Sequence, residues 1–173
     1  PVDARPGRHD RGVSGSNIGP NSGTDVVYSG TAAAARQAAL MGIPSIAVSL
    51  DSFDAPFHFD SLSRFVADNL DAFAGLWRAD HFININAPNI PVYSGVEVTR
   101  PSRRLYHDRV VEFQAPDGHS YFFIQGSRVE TVSESGSDWD TVSRGKVSIS
   151  PVMLQPVHRE EDAPYREARF ILA

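Results

Sequence analysis

A glycine-rich stretch and the start of an alanine-rich run lie close together in this sequence, and both suit a bound phosphate group. Residues 14–23 contain several glycines, which let a backbone approach a ligand closely, together with Asn17 and Asn21. Amide oxygens are neutral, hard ligands that can hold a cation or orient a phosphate oxygen. Ser29-Gly30-Thr31 then begins the alanine-rich run, where free N–H groups and the positive end of a helix dipole favour an anion. Together they predict a compact anion-binding site.

Each feature alone also has an ordinary structural explanation. A Ser or Thr before a helix usually caps it, and a glycine-rich loop is more often a tight turn than a ligand site. A P-loop is excluded, because Lys146, the only lysine, follows Gly145 but Asp140 stands where the first glycine of that motif belongs. The sequence also lacks the Gly-x-Gly-x-x-Gly and Gly-x-Ser-x-Gly motifs. The functional interpretation therefore depends on the two features occurring together.

The composition is typical of one soluble globular domain. The chain has 173 residues, of which 41% are hydrophobic and 21% are charged. It has no cysteine, so disulfides and thiolate metal sites are excluded, and a metal would need oxygen or imidazole ligands. A net charge of −5 argues against a general nucleic-acid binder. Since no apolar run approaches the ~20 residues that cross a membrane, we expect a soluble, cytoplasmic protein.

The segments that must position these residues alternate between helix and strand. A short strand is predicted at 12–14, followed by a glycine-rich loop that extends to Ser29. Helical and strand periodicities then predict a helix at 31–40, a buried parallel strand at 45–50, an amphipathic helix at 60–77 and a strand at 81–86 that ends before Pro88. This order indicates an α/β fold with a parallel sheet.

The pattern changes after residue 90. Strands are predicted at 95–99 and at 145–150, the second ending before Pro151, and a hairpin at 109–114 and 120–125 around Ala-Pro-Asp-Gly. We therefore expect an α/β core in 1–90, an antiparallel extension in 91–155 and a tail or helix in 156–173. The hairpin is more apolar than one small domain can bury, which suggests pairing with another subunit.

Three blocks of the sequence match a known family pattern. They are Ser-Gly-Ser-Asn-x-Gly-x-Asn-x-Gly at 14–23, Val-Tyr-Ser-Gly-Thr-Ala-x-Ala-Ala at 27–35, and Gly-Ile-Pro-Ser-Ile-Ala-Val-Ser-Leu at 42–50. These blocks resemble the SurE family of nucleotidases, also called survival proteins, and the similarity continues to about residue 155. The resemblance implies a Rossmann-like, three-layer α/β/α fold with an exchanged hairpin. It also implies homodimers or homotetramers that remove phosphate from nucleoside 5′-monophosphates, and from 3′-monophosphates, with one bound Mg²⁺ or Mn²⁺.

The resemblance also assigns roles to individual residues. Asn17 matches the family's asparagine metal ligand, and Ser29, Gly30 and Thr31 match its phosphate-binding turn. Asn21 matches a supporting position that also faces the phosphate. On this basis, the predicted catalytic residues are Asn17, Ser29 and Thr31.

One part of the family's metal site has no counterpart in this sequence. The family's other ligands are an adjacent pair of aspartates and a serine, whereas this chain has no Asp-Asp pair. Residues 1–3 match an element just upstream of the signature, so we expect the aspartates to precede Pro1. The alternative function is a catalytically inactive nucleotide-binding or assembly module. A serine hydrolase ranks third, because no serine and histidine suggest a catalytic dyad.

Several other residues remain open between a functional and a structural role. Asp25, the nearest carboxylate, is expected in a loop or hinge rather than on a metal. Arg100, Arg103 and Arg104 either face a nucleotide or a neighbouring subunit, or form a solvated surface, which is favoured. Trp77 is expected in the core, and Trp139 either anchors a lid or is structural. The histidines at 58, 81, 107, 119 and 158 lack metal-ligand spacing and are expected to be structural, and His9 is given no role.

Overall fold

The computed structural model describes residues 10–126 and 129–155. The predictions for His9, for His158 and for the tail at 156–173 lie outside these residues, as does most of the segment before Arg11. In chain order, the elements are β1 (Gly12–Ile18), a 3-10 helix (Gly23–Val27), α1 (Gly30–Leu40), β2 (Ser45–Asp51), α2 (Phe59–Asp68), α3 (Leu70–Leu76), β3 (His81–Pro88), β4 (Val96–Val98), β5 (Arg103–Leu105), β6 (Arg109–Gln114), β7 (Ser120–Gln125), β8 (Glu130–Val132), α4 (Asp138–Ser143) and β9 (Val147–Met153).

Five of the strands form the main sheet, in the order β1-β2-β3-β9-β4. The first three run parallel to one another, β9 is antiparallel to β3, and β4 is parallel to β9. Parallel neighbours need crossover connections, which are supplied by α1 between β1 and β2 and by α2 and α3 between β2 and β3. The predicted α/β class is confirmed.

The helices cover opposite faces of this sheet because side chains alternate along each strand. On one face, Ile46, Val48 and Leu50 of β2 pack in one cluster with residues of α2 and α3. On the other face, Ala47 and Phe82 pack with the alanines of α1. The result is a three-layer α/β/α arrangement, and Trp77 packs at the margin of the second cluster, as predicted for a core residue.

Most predicted elements are present, with shifted ends. The helix at 31–40, the strand at 45–50 and both strands of the hairpin are confirmed, whereas β1 continues to Ile18, four residues into the segment predicted as a loop. The predicted stop at Pro151 is wrong, since β9 continues to Met153. At Pro151 the strand pairs only with β3, so its missing N–H can face the unpaired side. Likewise, β3 includes Pro88 as its last residue.

The predicted helix at 60–77 is two helices that meet at Asn69. The side-chain amide of Asn69 donates to the carbonyl of Phe65 at 2.8 Å. Asparagine competes in this way for backbone hydrogen bonds, which favours a helix end over a helix interior. The sequence periodicity continues across this break, so the pattern alone did not reveal it.

Residues 91–155 do not form a single extension. Strands β4 and β9 belong to the main sheet, while β5 pairs with β8 and β6 pairs with β7 in two separate two-stranded sheets. Sequence reasoning missed β5, β8 and α4. In the described part of the chain, no helix has the length and apolar character required to span a membrane.

The closeness of α1 to the sheet can be tested at one buried alanine. Ala35→Leu adds a large side chain to a fully packed contact, so we expect a loss of about 1–3 kcal/mol in the free energy of unfolding. Ala34→Leu is the matched control, because Ala34 is exposed on the same helix and its replacement should change stability by less than about 0.5 kcal/mol. Equal effects in urea unfolding would contradict this packing.

Candidate active site

The predicted site residues lie at the carboxyl ends of the parallel strands, where ligands of α/β sheets usually bind. On the face covered by α1, β2 changes from Ala47 to Ser49, and by alternation to Asp51. On the same face, β3 changes from Phe82 to Asn84 and Asn86. Each strand is therefore apolar where it packs under the helix and polar towards the site.

An irregularity in β1 sets the position of Asn17. Ser14 lies opposite Ala47 and Asn17 lies opposite Ser49, so β1 has one more residue than β2 between these two pairs. Such a bulge shifts the side-chain alternation along the strand. From Asn17 onwards, each residue of β1 therefore faces the side of the sheet opposite to the one it would face in a regular strand. The Asn17 amide nitrogen donates to the carbonyl of Gly19 at 2.9 Å, which leaves the amide oxygen as the atom for a ligand.

Buried amides fix the loop that follows β1. The Asn21 N–H donates to Asn86 Oδ1 at 2.8 Å, and the Asn21 side-chain nitrogen donates to Ser49 Oγ at 2.6 Å. Asn84 and Asn86 donate in turn to the Asn21 carbonyl at 2.8 and 3.2 Å. Sequence reasoning missed Ser49, Asn84 and Asn86, although polar residues inside otherwise apolar strands were a visible signal. The role of Asn21 beside a phosphate stays a prediction.

A buried carboxylate connects this loop to the second half of the chain. Asp138 is fully buried, and it accepts hydrogen bonds from the backbone N–H groups of Gly23 at 2.7 Å, Ser102 at 2.9 Å and Trp139 at 2.8 Å. Hydrogen bonds to an ionised acceptor are the stronger kind, and here they replace the water that the charge loses. Asp138 therefore fixes three segments at one point.

The start of α1 is capped by its own serine. Ser29 Oγ accepts from the N–H of Ala32 at 3.0 Å, so Ser29 is an ordinary N-cap. A hydroxyl that accepts a hydrogen bond still has its proton to donate. The first turn contains no acidic side chain, so the positive end of the helix dipole is not neutralised from within the helix.

A cavity of about 520 Å³ opens beside this helix start. Its volume lies in the range of sites for whole small molecules, ~300–1,000 Å³. The residues that line it come from the loop before α1 and from the segment between β5 and β7: Asn21, Asp25, Tyr28, Ser29, Tyr106, Asp108 and Ile124. Of the predicted site residues, Asn21 and Ser29 line the cavity, whereas Asn17, Gly30 and Thr31 are not in its wall.

The three arginines singled out in the sequence have different environments. Arg104 is buried, with 8% of its side chain exposed, and its Nε lies 2.9 Å from Asp25 Oδ2. Its guanidinium also lies 5.2 Å from the centre of the Trp139 ring. Arg100 pairs with Glu134 at the surface, and Arg103 is exposed. The prediction of a solvated surface is therefore wrong for Arg104, and the Trp139 ring packs against this arginine.

Asp25 is held from two sides within the cavity wall. Besides the ion pair with Arg104, its Oδ1 accepts a hydrogen bond from the Tyr106 hydroxyl. Burial raises the pKa of the Asp25 carboxyl, the Arg104 charge lowers it in part, and the nearby Asp138 carboxylate raises it further. Burial also raises the pKa of Asp51, again against the Arg104 charge. Carboxyls with shifted pKa values are common at functional sites.

The described residues do not by themselves form a complete metal site. Across 10–126 and 129–155, no three His, Asp or Glu side chains are placed to share an ion. Magnesium prefers an octahedral shell of oxygens, of which Asn17 offers one. His81, His107 and His119 lie against acidic side chains near the surface, and none belongs to a metal-binding group.

The fold and the site define a three-layer α/β protein with a cavity near the carboxyl ends of its parallel strands, beside the start of α1. The family described as survival protein SurE matches residues 3–108. The 5′-nucleotidase SurE of Petrotoga mobilis is 37% identical over 145 residues, which cover 82% of this chain and 57% of that protein. The 5′-nucleotidase SurE of Syntrophomonas wolfei is 41% identical over 145 residues, covering 81% and 54%. The chain belongs to the SurE family.

A solved structure supports the same assignment. The crystal structure of the SurE protein from Aquifex aeolicus matches with a TM-score of 0.72 and 30% identity, covering 92% of this chain and 66% of that one. The predicted family resemblance and Rossmann-like core are thereby confirmed. The chain spans little more than half the length of the curated relatives, 57% in the case of Petrotoga mobilis.

The contact between the loop and Ser102 leaves no room for a side chain at Gly23. Gly23 has a φ of +56°, and a Cβ there would lie 2.1 Å from the Ser102 carbonyl oxygen. We expect Gly23→Ala to lower the free energy of unfolding by about 2 kcal/mol or more. Gly75→Ala, in α3 with no atom within 4 Å, should instead be neutral or stabilise by up to about 1 kcal/mol. Urea unfolding of both variants measures the difference.

The raised pKa of Asp51 predicts a pH dependence of stability. Because the folded state binds this proton more tightly than the unfolded state does, the wild type loses stability as pH rises from the usual value of 3.8 through the raised folded pKa. Asp51→Asn removes that loss, so it should be more stable than wild type at neutral pH, with a difference that vanishes towards 3.8. Unfolding between about pH 4 and 8 tests this. Asp54→Asn, at an exposed site, is the control, and a difference that does not change with pH would contradict the prediction.

Proposed function

We propose that this chain forms the substrate-binding core of a phosphomonoesterase that hydrolyses nucleoside 5′-monophosphates, and also 3′-monophosphates, to nucleoside and phosphate. The observation that carries the proposal is the cavity of about 520 Å³ beside the start of α1, whose first turn has no acidic side chain. Such a site offers one end for an anion and enough space for the rest of a nucleotide. The relatives named 5′-nucleotidase SurE support this choice among phosphate esters.

In this proposal, the phosphate lies against the first turn of α1. Gly30 and Thr31 would present backbone N–H groups to it, Thr31 would add its hydroxyl, and Ser29 would donate its proton while it accepts from Ala32. These donors would stabilise the charge that develops on the phosphoryl oxygens, and they need not reorganise because the loop is already held by hydrogen bonds.

We further propose that activity requires one divalent cation, Mg²⁺ or Mn²⁺. The amide oxygen of Asn17 is the ligand that the described residues offer, and bound cations of this kind polarise phosphoryl oxygens. The described residues do not complete the site, so the cation would need further oxygen ligands. Chelation of the cation is expected to stop phosphate release.

We also propose that the protein is a homodimer or homotetramer joined through the hairpin of β6 and β7. The hairpin pairs with no other strand in the described residues, and two-stranded hairpins are marginal on their own. Several of its large apolar side chains are more than half exposed, namely Val110, Phe113, Tyr121, Phe122 and Phe123. A second subunit that exchanges this hairpin would bury them.

A second candidate function is a nucleotide-binding module without catalytic activity. The absence of an acidic cluster among the described residues favours it, because phosphate transfer without metal or carboxylate would be slow. This candidate predicts nucleotide binding by the cavity and no release of phosphate.

Phosphate release from a nucleoside monophosphate distinguishes the two candidates. With Mg²⁺ or Mn²⁺ present, we expect the protein to release phosphate, and a chelator should stop this release. In Asn17→Ala the rate of release should fall about a hundredfold, by analogy with the loss of one preorganised polar contact. Gln37→Ala, an exposed change on α1, should retain full activity. Binding of the nucleotide without release supports the inactive module, and unchanged activity of Asn17→Ala rejects its assignment.

A further inference from the structure

We infer that the aromatic end of the cavity is the nucleoside subsite, where Tyr28 and Tyr106 contact the base and Asp25 accepts a hydrogen bond from a ribose hydroxyl. This inference rests on the proposed function, because it assigns the part of the same substrate that lies beyond the phosphate. It adds residues outside the predicted anion site.

The two ends of the cavity differ in chemistry. At one end, Asn21 and Ser29 belong to the polar loop and helix start that suit an anion. At the other end, two tyrosines and Ile124 give an apolar lining. A volume of about 520 Å³ is far more than one phosphate group fills, so the remaining space suits a flat, partly apolar group attached to it.

The tyrosine pair forms an aromatic surface for such a group. The Tyr28 and Tyr106 rings lie 6.0 Å apart between centres and 77° apart in orientation, an edge-to-face contact. This contact uses the edge of one ring and one face of the other, and Tyr28 remains 78% exposed, so aromatic surface is still open to a ligand. Nucleobases stack on exposed aromatic side chains with little dependence on base identity, since every base has a π-face.

Asp25 is oriented so that it can accept from a neutral ligand. Its two oxygens already contact Tyr106 and Arg104, which fix the carboxylate in the cavity wall. Each carboxylate oxygen has a second acceptor position, which matches the hydroxyl donors of a ribose. The Arg104 guanidinium balances the charge of Asp25, so this part of the wall suits an uncharged sugar and base.

The aromatic contact is tested by calorimetry on the full chain with two ligands, adenosine 5′-monophosphate and ribose 5-phosphate. Tyr28→Ala should weaken binding of the nucleotide about tenfold, the effect of one lost base–aromatic stack, and leave ribose 5-phosphate unchanged. Val27→Ala is the matched control, because Val27 is the exposed neighbour and does not line the cavity. It should change neither ligand.

The hydrogen bond to ribose is tested with a 2′,3′-dideoxynucleoside monophosphate. The wild type should bind the ribonucleotide about tenfold more tightly than this analogue, and Asp25→Asn should reduce that ratio several-fold. Tyr106→Phe keeps the ring and removes the hydroxyl that donates to Asp25 Oδ1. It should therefore retain the aromatic contact and change only the ratio of the affinities for the ribonucleotide and the dideoxy analogue.

These measurements separate the subsite from the proposed function. Absence of phosphate release from any ester would reject the nucleotidase, while selective weakening in Tyr28→Ala would still support the subsite. Conversely, the subsite is overturned if the wild type fails to bind the nucleotide, if Tyr28→Ala has no effect, or if it weakens both ligands equally.

Discussion

The carboxylate of Asp138 is the interaction on which the site depends. Its charge is removed from water, and three backbone N–H groups from the loop before α1, from the segment before β5 and from α4 replace that solvation. Because Gly23 and Ser102 both donate to this side chain, the loop before α1 and the segment with Arg104 are held to each other. The stacking of Arg104 on Trp139, the residue after Asp138, reinforces the same junction.

The sheet supports this junction through a change from apolar to polar side chains along one face. Under α1, Ala47 and Phe82 provide apolar contacts. Further along the same strands, Ser49 accepts from the side chain of Asn21, and Asn84 and Asn86 hold its backbone. Buried amides are stable only when they are hydrogen-bonded, and here their partners belong to the loop that approaches the ligand. Stability of the core and orientation of the site therefore come from the same strands.

Features with local signals could be predicted from the sequence, and features that depend on distant contacts could not. The alanine run and Ser29 indicated α1 and its cap, and Ala-Pro-Asp-Gly indicated the hairpin, because helix propensity, capping and turn formation involve neighbouring residues. The bond between Gly23 and Asp138 joins residues 115 positions apart, and no local pattern indicates it. For the same reason, Arg104 looked like a surface residue, although its partners Asp25 and Trp139 come from elsewhere in the chain.

The alanines on the buried side of α1 have a consequence for how firmly the anion end of this helix is placed. Ala32, Ala35 and Ala39 have no side-chain torsions to freeze, so the helix side of this contact loses no rotamer entropy on folding. A contact made of leucines would allow several alternative interdigitations, each with a slightly different helix position. With only methyl groups on the helix side, the backbone geometry of α1 largely fixes the distance from the helix axis to the sheet.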